Sequence, residues 1–127
     1  MRGYVTIGAI DPEASVKFYD AVLGATGMRR AFFEGGWAGY AHPGSDDSVF
    51  VCLPFDGKPA RGGNGIMIAF EAATRDEVKA AHAAGLAGGG TDEGAPGPRP
   101  PESDTFFGAY LRDPAGNKVA LYTRAKR

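Results

Sequence analysis

One order of hydrophobic periods occurs twice in this chain: a short alternating run, an amphipathic helical stretch, then three further alternating runs. The first copy opens with a β-branched strand over residues 4–10. A helix over 12–23 follows, with Asp11 as N-cap, Pro12 in the first helical position and Glu13 favourable to the helix dipole. Ala14, Phe18, Tyr19, Val22 and Leu23 form its apolar stripe, and Gly24 is expected to end it. Three strands follow at 28–34, 37–41 and 49–53, the last two separated by the turn-rich stretch His42-Pro43-Gly44-Ser45-Asp46-Asp47.

The second copy begins about sixty residues later, with a strand at 65–70. Thr74 and Glu77 form a capping box for a helix that runs to Ala84, buries Val78, Ala81 and His82, and stops at Gly85. Residues 86–101 read as a glycine-rich weak strand or loop. Strands at 106–112 and 118–123 are joined by Asp113-Pro114-Ala115-Gly116-Asn117, with Pro where φ near −65° is wanted and Gly where φ must be positive. Between the copies, residues 54–64 read as a linker with almost nothing able to pack. The pattern predicts an α+β domain over 1–127: module one 1–54, linker 55–64 and module two 65–127. Each module is a βαβββ unit whose sheet has one face under its helix. The other face must be covered by the partner module or by a ligand, giving a concave mixed sheet around a cavity.

Composition excludes several partners. A formal net charge of −1 provides no field to draw in nucleic acid or an anionic membrane, and Arg124, Lys126 and Arg127 read as a solubilising tail. No apolar run reaches the ~18–20 residues that a membrane span requires. The start, Met1-Arg2-Gly3, enters the first strand without an apolar signal core, and the single cysteine, Cys52, can form no internal disulfide. A cytoplasmic location is expected. The 20 glycines, gathered in turns and after helices, point to a curved sheet with tight connections.

Three segments stand out: Tyr4-Val5-Thr6-Ile7-Gly8, the helix Ala14-Ser15-Val16-Lys17-Phe18-Tyr19-Asp20-Ala21-Val22-Leu23-Gly24, and Asn64-Gly65-Ile66-Met67-Ile68-Ala69-Phe70. The stretch 94–100 and the hairpin Arg112-Asp113-Pro114-Ala115-Gly116-Asn117 follow them. In this order and spacing they resemble the vicinal oxygen chelate superfamily, which includes glyoxalase I, bleomycin-resistance proteins and extradiol dioxygenases. The resemblance implies paired βαβββ modules around a cavity, commonly a homodimer, and a divalent metal such as Zn, Ni, Fe or Mn that holds two substrate oxygens.

The positions at which such proteins place His, Gln or Glu carry Tyr4, Met67 and Ala120 here, and 48–53, where the fourth falls, holds no His, Glu, Gln or Asp. No metal is therefore expected in the usual place. His42 lies in a turn and reads as a surface residue; His82 reads as a partly buried structural histidine; Asp46 and Asp47 read as solvated. Cys52 lies between Val51 and Leu53, which favours an inert strand thiol, and the run Gly88–Gly90 lacks the Lys-Ser/Thr ending of a phosphate loop.

What remains is the cavity. Strand alternation places Tyr4 with Thr6, Met67 with Ala69, and Ala120 with Tyr122, and Trp37, Arg99, Phe107 and Tyr110 are candidate further walls. The leading expectation is a metal-free protein that binds or sequesters a small organic ligand in an aromatic-lined hollow. A lyase, isomerase or dioxygenase is the alternative, either through a metal or with Tyr4 as acid and base, although tyrosine's ordinary pKa of about 10 suits neutral pH poorly. A third reading is a dimeric scaffold whose hollow is filled by its own side chains.

Overall fold

The computed structural model describes residues 3–46 and 48–126; Met1, Arg2, Asp47 and Arg127, the last part of the expected basic tail, lie outside the described residues. The first module contains β1 (Val5–Gly8), α1 (Pro12–Gly24), β2 (Arg29–Glu34), β3 (Trp37–Ala41) and β4 (Val49–Cys52). The second contains β5 (Ile68–Glu71), α2 (Arg75–Ala87), β6 (Thr91–Pro98), β7 (Phe107–Arg112) and β8 (Lys118–Thr123). The sheets have matching orders, β1-β4-β3-β2 and β5-β8-β7-β6. In each, the first strand runs parallel to the last and the other pairs are antiparallel. The α+β reading with two βαβββ modules is the observed fold.

Alternation along the strands explains why each sheet has one dry face. Ile7, Val49, Val51, Ala38 and Tyr40 are buried in the first sheet, and Phe70, Val119, Leu121, Ala109 and Leu111 in the second. These residues, with Phe18, Tyr19, Val22 and Leu23 of α1 and Val78 and Ala81 of α2, form one hydrophobic cluster spanning both modules. The modules meet helix to helix, α1 against α2. Among the described residues no strand pair joins the two sheets, and β1 and β5 each have a strand neighbour on one side only.

Gly85 makes the helix contact possible and does not stop α2. A Cβ there would lie 2.5 Å from Leu111 Cδ1 and 3.0 Å from Val22 Cγ2. The helix continues to Ala87, and Gly88 caps it by donating its N–H to Ala84 O at 2.8 Å. Gly24 is likewise the last residue of α1, Ala25 is its C-cap, and the positive φ (+92°) falls on Gly27. The N-termini follow the sequence closely. Asp11 accepts from Glu13 N–H, and Thr74 Oγ1 accepts from Glu77 N–H, both at 3.1 Å. Glu77 reaches back to Ala73 N–H (3.1 Å), one residue before the cap. The ambiguous stretch after α2 forms a strand, β6, which is irregular at Asp92/Gly94 and Gly94/Gly97.

The hairpin Asp113–Asn117 ties the modules together. Asp113, 3% exposed, accepts four hydrogen bonds. Its Oδ1 takes the N–H groups of Ala115 and Asn117, both at 2.9 Å. Its Oδ2 takes Asn117 Nδ2 at 2.9 Å and, from the first module, the Tyr19 hydroxyl at 2.6 Å. Asn117 Nδ2 also donates to Gly8 O on β1 at 2.8 Å. Burial, then the charge of Asp113, pushes the Tyr19 hydroxyl pKa well above its ordinary value, so it stays a donor. The linker also packs, contrary to expectation. Ala60 Cβ lies 3.0 Å from where a Cβ of Gly8 would be, and Gly62 lies so close to the Gly116 carbonyl that no side chain fits.

Candidate functional site

Residues that alternate with the core point to the open face of each sheet. On the first sheet, Thr6 is exposed while Ile7 is buried, and Thr6 lies opposite Phe50 in register. Phe50 is the hub of an aromatic group. Its ring centroid is 5.3 Å from Tyr4, 6.2 Å from Trp37 and 6.4 Å from Phe32. Gly39 pairs with both Phe50 and Phe32, so no side chain from β3 fills the space between those rings. Tyr4 is 68% exposed, Trp37 45% and Phe32 36%. Next to this group is a cleft of about 520 Å³ lined by Thr6, Gly8, Trp37, Cys52, Pro54 and Phe55, among others. Burial raises the Cys52 thiol pKa, which keeps it protonated and a poor nucleophile.

Tyr4, Thr6 and Trp37 thus lie on one face, together with Phe32 and Phe50, which the sequence reading did not name. Phe50 was legible, since it stands two residues from both Ser48 and Cys52 and alternates with buried Val49 and Val51. Phe32 was not, because the β2–β3 register shifts between Arg30 and Phe32.

On the second sheet, Tyr110 and Tyr122 share the open face with Ala69 and Ala120, and Met67 enters it just before β5. Ala120 lies in register between Ala69 and Tyr110 and is only 2% exposed, which makes it floor and not wall. Arg99 Cζ stands 5.5 Å from the Tyr110 ring centroid and Lys118 Nζ 5.8 Å. Phe107 does not belong to this set. It shares the helix face with Ala109 and Leu111, is 6% exposed, and lies under Arg75 (4.9 Å) and Lys79 (5.8 Å). Its neighbour Phe106 takes the open side, stacked on Tyr122 at 5.6 Å and 9°. Arg124 lies 5.1 Å over the Tyr122 ring. A further cleft, about 560 Å³, is lined by residues 62–67 with Arg112 and Lys118. The open faces of the two sheets carry separate clefts.

The donors available do not suit a chelated divalent ion. The positions at which the resemblance expects ligands hold a phenol (Tyr4), a thioether (Met67) and a methyl group (Ala120), and the open-face residues of β4 are Phe50 and Cys52. Among the described residues, no three His, Cys, Asp or Glu side chains converge. His42 lies on a different cleft, with Thr26, Glu71 and Thr123. His82 is 7% exposed, and its Nε2 lies 2.9 Å from Asp92 Oδ1, joining α2 to β6. Asp46 is exposed, as expected.

No curated protein matches the chain. Solved structures do. A glyoxalase/bleomycin resistance protein from Albidiferax ferrireducens T118 is 38% identical with a TM-score of 0.86, covering 96% of this chain and 98% of that one. A glyoxalase-related enzyme from Fulvimarina pelagi (20% identity, TM-score 0.72, 97% and 87% covered) shares the fold. So does a lactoylglutathione lyase from Agrobacterium tumefaciens (19%, 0.64, 97% and 92%). The family described as Glyoxalase/Bleomycin resistance protein/Dioxygenase superfamily matches residues 2–121, nearly the whole of the two-module fold, and this chain belongs to it.

Proposed function

We propose that this protein binds or sequesters a small, flat organic ligand without a metal ion, as a homodimer. The observation that carries the reading is the aromatic group of exposed Tyr4, Phe32 and Trp37 around half-buried Phe50, on the sheet face that holds Tyr4, which the resemblance puts in place of a chelating side chain. Aromatic walls with few polar groups recognise flat apolar molecules by stacking and by exclusion of water. The donor set supports the metal-free part of the reading, because a thioether and a methyl group offer a hard or borderline ion nothing. Two open sheet faces and two edge strands, β1 and β5, support self-association, since exposed apolar faces of this kind favour a partner. No helix among the described residues is long and apolar enough to cross a membrane. A single free, buried thiol is in keeping with a cytoplasmic protein.

Trp37 is the one tryptophan of the chain, so its fluorescence reports on this face directly. Purified protein is expected to contain no stoichiometric metal by elemental spectrometry, and flat aromatic compounds such as 2-naphthol are expected to quench Trp37 saturably. Stoichiometric Zn, Ni, Fe or Mn together with measurable lyase or dioxygenase turnover would overturn the reading.

A further inference from the structure

We infer that the second sheet's open face, with the rings of Tyr110 and Tyr122, is an oxyanion site read by Arg99, which takes an aromatic carboxylate in preference to a neutral aromatic. This rests on the reading that the open faces bind ligands, and it adds an anion-selective subsite on the second sheet to the aromatic group of the first.

The Arg99 guanidinium is fixed in place. Its Nη2 donates to Ala95 O at 2.7 Å and its Nη1 to Pro98 O at 3.2 Å, and its Cζ lies 5.5 Å from the Tyr110 ring centroid. Two glycines of β6 clear the ground for it. A Cβ at Gly97 would lie 2.9 Å from Arg99 Nη1, and a Cβ at Gly94 would lie 2.9 Å from Tyr110 Cδ2 and 3.5 Å from Arg99 Nη2. Any other residue at either position would push the guanidinium or the ring away. The irregular register of β6 falls at these same glycines.

The charge so placed is not neutralised. The described ion pairs join Arg30 to Asp20, His82 to Asp92 and Arg112 to Glu93, and none involves Arg99. A second cation, Lys118, stands 5.8 Å from the same Tyr110 ring and lines the cleft that also holds Met67. Lys118 also lies in the field of Glu93, whose carboxylate Arg112 already engages. A guanidinium has five N–H donors, and two backbone carbonyls leave Nε–H and two others free for a carboxylate fork. Because the side chain is held before binding, little rotamer freedom is lost when the anion arrives. In a chain of net charge −1, this local excess of positive charge belongs to the site and not to the protein as a whole.

Calorimetric titration of the wild-type protein with 2-naphthoate and with the isosteric 2-naphthamide tests the inference. The carboxylate is expected to bind about tenfold more tightly than the amide, the gain typical of a charge-assisted hydrogen bond. That preference should shrink as salt is raised. It should disappear in Arg99→Gln and fall only in part in Arg99→Lys, which keeps the charge and loses the fork. Equal affinity of wild type for both compounds would overturn the oxyanion site and leave the ligand-binding reading standing. Binding of neither compound up to millimolar concentration would overturn both.

Discussion

Single residues decide how this fold is held and what its open faces can do. Asp113 is the clearest case. A carboxylate taking four hydrogen bonds, one from the other module, leaves several orphaned donors when it is removed. Asp113→Ala is expected to cost about 2–4 kcal/mol, while Tyr19→Phe, which removes one of the four, costs about 1 kcal/mol. Urea unfolding followed by circular dichroism checks both, and a loss from Asp113→Ala no larger than from Tyr19→Phe would contradict the latch. The Asp-Pro-Ala-Gly-Asn run announced a turn, and it is one. Its tie to Tyr19 and to Gly8 O was not legible, because nothing in local spacing says that a turn polar group will reach another module. Phe107 shows the opposite failure. Buried Ala109 and Leu111 two and four residues on fix its face by period alone, yet with adjacent Phe106 the two aromatics invite the wrong choice.

At the scale of elements, the caps and periods were legible and the glycines were not. Asp11 and Thr74 start helices because their oxygens accept orphan N–H groups, a property of the local sequence. Gly85 resembles a helix stop in sequence, but its reason is the approach of Leu111 and Val22, which only the packed molecule reveals. Gly85→Ala is therefore expected to destabilise by about 1–3 kcal/mol through overpacking, even though alanine is the better helix former. A shift of the urea midpoint measures it, and a stabilised variant would show that the helices can separate without cost. The attachment of β6 makes a second prediction, in pH. The Asp92 carboxyl is held below its ordinary value of 3.8 by the Gly94 N–H first and by His82 second. Glu93 is held below 4.5, chiefly by its hydrogen bond from Arg112. Groups with lowered folded pKa values stabilise the fold above the ordinary carboxylate range and lose that contribution as pH falls through the lowered values. Stability should decline below about pH 4, and Asp92→Asn with Glu93→Gln should flatten that decline. Both carboxylates are exposed, so the slope will be shallow.

At the scale of the whole molecule, the repeat predicts two modules correctly but not how their open faces are closed. The period of a strand tells which side chains share a face; it carries no information about what lies opposite. Here the helices occupy the contact between modules, which leaves the aromatic face of the first sheet and the cationic, aromatic face of the second uncovered in one chain. Phe55 is fully exposed beside the same cleft as Trp37, and Leu53 is 50% exposed. A standard interface buries roughly 800 Å² on each partner, and these partly covered rings with Leu53 and fully exposed Phe55 form the apolar centre of such a patch. Sedimentation at micromolar concentration is expected to give a dimer. Trp37→Asp places an unpaired charge in the middle of that face and should shift the protein to monomer while its circular dichroism remains that of the folded chain, since Trp37 is outside the hydrophobic cluster. Phe55→Ser, at the edge of the same surface, should weaken association less. A wild-type monomer at these concentrations would mean that the aromatic face meets its ligand uncovered, and affinity for a flat compound would then rest on stacking from one side alone.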